Sequence, residues 1–65
     1  MHPAVVDILK HFEYEHLPEH LQMISRPICE MALDMANNPD LDGPELTAGL
    51  RKLLEAKDCF VRAAI

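Results

Sequence analysis

Residues 44–65, PELTAGLRKLLEAKDCFVRAAI, carry the clearest structural signal in the chain. Leu46, Leu50, Leu53, Leu54, Phe60, Val61 and Ala64 recur at steps of three and four, the spacing that lines one side of an α-helix. One residue breaks the stripe. At about 100° per residue, Lys57 falls within about 20° of the centre of that apolar side. A helix over about 44–64 with a lysine in its apolar face is therefore the first expectation.

Upstream, Asn37-Asn38-Pro39-Asp40-Leu41-Asp42-Gly43-Pro44 is turn chemistry without periodicity. Asp42 followed three residues later by Glu45, with Pro44 between, predicts a capping box with proline in the first turn. A connection of this length suits an antiparallel helical hairpin. Its other arm lies between Pro18 and Asn37, where Leu21, Ile24, Ile28, Met31, Ala32 and Met35 keep helical spacing. Pro27 falls inside this arm. Ser25-Arg26-Pro27 either restarts the helix, with Ser25 or Arg26 near an N-cap, or kinks one rod; the stripe keeps its phase, which favours the kink.

Before that arm, Tyr14-Glu15-His16-Leu17-Pro18 reads as a corner, because Pro18 lacks an N–H and pushes Leu17 toward extended backbone. Pro3 to about Glu13 forms a first short helix, with Val5, Ile8, Leu9 and Phe12 on one side and Pro3 in its first turn. The expected fold is all-α, a single domain over 1–65 with helices at about 3–13, 18–37 and 44–64. A short N-terminal helix precedes the antiparallel hairpin.

At 65 residues with 49% hydrophobic composition, the chain has more apolar surface than one small domain hides on folding. Cys29 and Cys59 are its two cysteines, and no C-x-x-C spacing supports a metal staple. Assembly into a helical homo-oligomer is the staple that remains. The net charge of −5 opposes binding of long nucleic acid, which relies on many cations. A small anion needs only two or three cations in a local pocket. No apolar run reaches the ~20 residues of a membrane span and no signal-peptide layout is present, so a cytoplasmic protein with reduced thiols is expected.

Lys57 is the most informative candidate. Its neighbours three and four positions away are Leu53, Leu54, Phe60 and Val61, so no acid of its own helix is placed to pair with it, whereas Arg51 has Glu55 and Arg62 has Asp58 at i,i+4 spacing. A buried ammonium without an anion is costly. Either its head snorkels out or meets an acid of another helix, or it holds a phosphate at a subunit interface. Arg51 and Arg62 share one flank and read as a solvated ion-pair face, which an oligomer axis can convert into a ring of guanidinium groups. Phe12 and Tyr14 flank the corner; core packing competes with base stacking, and Tyr14 is the freer of the two.

His16-Leu17-Pro18-Glu19-His20 spells H-x-x-E-H, a zinc-peptidase motif, but Pro18 spoils the single-helix geometry such a site needs and the chain is too short for a substrate cleft. Neither cysteine, and no serine, has neighbours that make a nucleophile, and no glycine-rich phosphate loop is present. No catalytic residue, metal site or cofactor is therefore expected.

Two stretches resemble a known family. They are 12–27, FEYEHLPEHLQMISRP, and 50–64, LRKLLEAKDCFVRAA. The chain resembles, over about residues 12 to 65, the helical hairpin domain shared by phage anti-CBASS sponges of the second described type and the first described Thoeris anti-defence proteins. The resemblance implies a small helical protein that assembles into a hexamer built from dimers and sequesters cyclic dinucleotide or cyclic trinucleotide immune signals without cleaving them. For this chain it implies Lys57, Arg51, Arg62 and Arg26 at phosphates, Tyr14 and Phe12 stacking on bases, and Ser25 and His16 hydrogen bonding. It also implies action in the host bacterial cytoplasm. The alternative is a structural helical oligomer or protein-interaction module with no nucleotide ligand.

Overall fold

A computed structural model describes all residues 1–65. It is all-helical: α1 spans Pro3–Leu9, α2 Glu19–Ala36 and α3 Gly43–Ala63, and a 3-10 turn Lys10–Phe12 continues α1. The first helical segment thus changes its winding at Lys10, and its last turn tightens before the corner.

Each helix starts differently. At α1, His2 is the N-cap: its Nδ1 accepts from the backbone N–H of Ala4 at 3.0 Å, and Pro3 occupies the first turn. At α2 no side chain caps the start, and the carbonyl of Pro18 accepts from Leu21 at 2.9 Å and Gln22 at 3.0 Å. At α3 the expected capping box does not form. Asp42 has extended backbone angles and its carboxylate makes no capping bond. The reason is the residue that follows: Gly43, at φ +74°, turns the backbone through a left-handed conformation open to glycine between Asp42 and Glu45, whose N–H the box would use.

Pro27 lies within one continuous α2, so Ser25 is an interior residue of the helix and not a cap. The α2–α3 connection is built on asparagines. Asn37 Nδ2 donates to the Leu33 carbonyl at 2.9 Å, and Asn38 Oδ1 accepts from the Asp40 N–H at 2.9 Å, an Asx turn across Pro39.

The core joins all three helices: Val5 and Ile8 of α1, Phe12, Ala32 of α2 and Leu50 of α3, with Leu9, Ile28, Cys29, Ala36, Leu46, Leu53 and Leu54 packed around it. It is small. Seven of 65 residues are buried, while Met23, Met31, Leu33, Met35, Leu41 and Phe60 remain exposed. A folded monomer of 7.4 kDa exposes about 4,200 Å², whereas this chain exposes 4627 Å². Its dimensions, 34 × 17 × 17 Å, explain the excess: an elongated body has more surface per unit volume. No helix is long and apolar enough to cross a membrane.

Candidate functional site

Lys57 is where its helical phase puts it. Its side chain is 12% exposed, and its Nζ lies 2.9 Å from Asp58 Oδ1, on a carboxylate that is 44% exposed. This corrects the expectation that no acid of α3 could reach it. Adjacent helical residues project about 100° apart, too far for short side chains to meet, but the four-carbon lysine stem spans that arc. The ammonium thus leaves the apolar face by curling toward its neighbour. Asp58 neutralises part of its charge, and two of the three ammonium hydrogens stay available for other acceptors.

That arrangement also removes an expected pair. Asp58 is engaged by Lys57, and Arg62 turns its Nη2 to Cys59 Sγ at 3.4 Å instead. Arg51 makes no ion pair with Glu55 either; the chain's ion pairs are Lys10–Asp7, Arg26–Glu30 and Lys57–Asp58.

The corner before α2 is held by Gln22, a residue to which the sequence reading gave no role. Its Nε2 donates to the carbonyl of Leu17 at 2.8 Å and of Glu15 at 3.3 Å, while the Leu17 N–H bonds the Tyr14 carbonyl at 3.0 Å. The signal for it is position: a long amide one turn into a helix stands over the chain that enters the helix. The corner carries half-buried Tyr14 and exposed His16.

Arg26, one turn further along α2, donates from Nε to Glu30 at 2.9 Å. That bond, then the nearby Tyr14, holds its guanidinium above its usual value. The Cys29 thiol is pushed up first by burial and then by Glu15, Glu30 and Glu13, with Lys57 acting the other way. Arg26 thus responds to Tyr14, and Cys29, three residues further along α2, to Lys57 of α3.

Other expected residues lie elsewhere. Phe12 is 1% exposed and belongs to the core, so its ring is closed to a base and packs instead of stacking. Ser25 is completely buried, and its Oγ has no hydrogen-bond partner; without an open path to it, a ligand cannot take it up. Arg51 lines shallow depressions beside α1 with Ala4, Asp7, Ile8, His11 and Leu54. It sits about 9 Å along α3 from Lys57, and Arg62 about 7.5 Å the other way, at about 1.5 Å per residue. One chain therefore does not converge these cations on one point. None of the four surface cavities is lined by Lys57, Tyr14, Arg26, His16 or Arg62.

His16 and His20 fall on either side of the start of α2, one in the corner and one in the helix, which breaks the one-helix spacing of the zinc-peptidase motif. No group of three or more potential ligating side chains comes together. No protein-family model matches the chain, and no curated protein or solved structure matches it.

Proposed function

We propose that the chain is a virus-encoded sponge that binds cyclic dinucleotide or cyclic trinucleotide immune signals without cleaving them and so blocks CBASS-type defence. In this reading α2 and α3 form the antiparallel hairpin of a homo-oligomer, a hexamer built from dimers. The observation that carries the reading is Lys57, a cation held 12% exposed on the apolar side of α3, within one of the two segments that resemble the sponge family, the other of which supplies Arg26 and half-buried Tyr14. Phosphates would be met by Lys57 and Arg26, a base by Tyr14, and polar edges by His16. Arg51 and Arg62, distant from that group within one chain, would come from other copies.

Sequestration asks for affinity and no bond breaking. It therefore needs neither nucleophile nor metal, only an anion site that is better than water. The Lys57–Asp58 pair sets the electrostatic condition: a phosphate must share the ammonium with Asp58 or displace it, and that carboxylate opposes an incoming anion. Calorimetric titration with a panel of cyclic dinucleotides and trinucleotides tests the reading. Heat with at least one ligand, lost in Lys57→Ala with the assembly intact, is expected. No heat and no thermal shift with any ligand refutes it.

A second reading is favoured by a different observation. The Lys57 charge is already met within the protein, and a large share of the apolar surface is uncovered, as in a helical oligomer or protein-interaction module with no nucleotide ligand. Protein purified without nucleotide absorbance, and unaffected by the ligand panel, would support it.

A further inference from the structure

Three of the four surface cavities are bordered in part by α1, and one is not. That one is a groove of about 400 Å³ between the end of α2, the connection and the first half of α3, on the side that α1 leaves open. Its floor is apolar. Leu46, Leu50 and Leu53 of α3 line it at steps of four and three together with Met35 and Leu41, and Met31, one turn before Met35, is 51% exposed.

Two features of this groove have no role inside the chain. The first is charge. Asp40, Asp42 and Glu45 border its end nearest the connection and no cation borders it. None of the three carboxylates takes part in an ion pair or accepts a hydrogen bond. Glu45 gains from the positive end of α3, but the Asp40 and Asp42 side chains hold nothing. The second feature is Gly49, which lies on the floor between Leu46 and Leu50. A glycine in the interior of a helix weakens it relative to alanine, and a Cβ at this position would meet no atom of the chain within 4 Å. Packing within the chain therefore does not ask for glycine here. What a side chain would obstruct is an object lying in the groove against the α3 backbone.

We infer that the groove binds a basic amphipathic helix of a partner protein, its apolar side chains on Leu46, Leu50 and Leu53, its backbone crossing α3 at Gly49, and its lysines or arginines at Asp40, Asp42 and Glu45. Other ways of holding a peptide lack their parts. The fold has no strand edge to extend, no aromatic ring borders the groove to receive a proline-rich segment, and its charge has the wrong sign for an acidic or phosphorylated one. A second copy, with a net charge of −5, lacks the excess of lysine and arginine that the acidic end asks for. Charge also sets direction. Four residues past Leu53 the same face of α3 carries Lys57, paired with Asp58, so the occupant's cations lie at the connection end. Tyr14, Arg26 and Lys57 do not border the groove, and the inference stands apart from cyclic-nucleotide binding.

Fluorescence anisotropy with a labelled peptide of leucine and lysine, about four helical turns long with its leucines at helical spacing, tests the inference on the whole chain. Saturable binding is expected, weaker by roughly tenfold or more when the lysines are replaced by glutamates. Asp40→Asn, Asp42→Asn and Glu45→Gln together should weaken it by roughly tenfold. Glu13→Gln, Glu19→Gln and Glu55→Gln together make the same change in net charge at exposed positions elsewhere, and should leave binding within about twofold. Gly49→Leu should weaken binding by roughly tenfold and yet melt no lower than wild type, since its side chain enters open space. Should that variant unfold, Gly49→Ala replaces it, with an expected weakening of roughly threefold. No saturable binding overturns the inference, and so does equal weakening by the two triple variants, which marks attraction to overall charge. A Gly49→Leu chain that binds the peptide as wild type does also overturns it, and if its own sedimenting mass falls the groove belongs to a second copy.

Discussion

Ser25→Ala should make this protein more stable. The hydroxyl is wholly buried within α2 and its oxygen has no partner, so folding strips it of water without replacing the hydrogen bonds. An unsatisfied group of this kind costs about 1–3 kcal/mol. Alanine also gains roughly 0.5 kcal/mol in helix propensity over serine. Against this stands the void left by one oxygen atom, roughly 10–15 Å³ and therefore about 0.3 kcal/mol. The balance is a gain of about 1–3 kcal/mol, and for a domain of this size it should raise Tm by roughly 5–20 °C. Thermal melts followed by circular dichroism, run at matched protein concentration because assembly makes Tm concentration-dependent, give the answer. An unchanged or lowered Tm refutes the reasoning, since it would mean that the hydroxyl has a partner in solution, such as the Leu21 carbonyl one turn back or a group of a neighbouring chain. Calorimetric affinity for a cyclic oligonucleotide should be the same in this variant as in wild type.

Phe12→Ala should cost about 3–5 kcal/mol, set against a total of roughly 3–10 kcal/mol for a chain this long; loss of most helical signal at ambient temperature is expected, and a variant that melts like wild type would show that α1 does not help hold α2 and α3 together. Iodoacetamide should label exposed Cys59 well before Cys29, whose thiol is pushed up by burial and by Glu15, Glu30 and Glu13; peptide mass spectrometry reads the order, and equal rates would refute the placement. The same shift has a sign for stability. Above the ordinary thiol value of 9.0 the unfolded chain loses the Cys29 proton while the folded chain keeps it, so the contribution is intact below that pH and stability falls as pH rises through the folded value. Cys29→Ala should lose less stability in alkali than wild type in urea titrations at paired pH values.

The three helices were legible because helix formation here is a periodic property of neighbouring residues: Leu46 to Val61 and Leu21 to Met35 state their faces by spacing, and Pro3 and Pro18 mark two starts. Boundaries were less legible. The Asp42–Glu45 spacing promised a cap that the left-handed Gly43 prevents, whereas the His2 cap carried no standard signal, since histidine is an uncommon capping residue. Gln22 was invisible because its partners are backbone carbonyls of the corner, which exist as a target only once the chain has turned.

By itself the sequence determined the all-helical class and the position of Lys57 on an apolar face, both consequences of a fixed angular step per residue. Only the tertiary structure decided what that lysine does with its charge, that Phe12 is core and Ser25 buried without a partner, and that α1 covers one side of α2 and α3 while leaving the methionine-lined side open. Those outcomes depend on where separate helices lie against one another and on how far a flexible stem can reach, and neither is encoded in the spacing along a single helix.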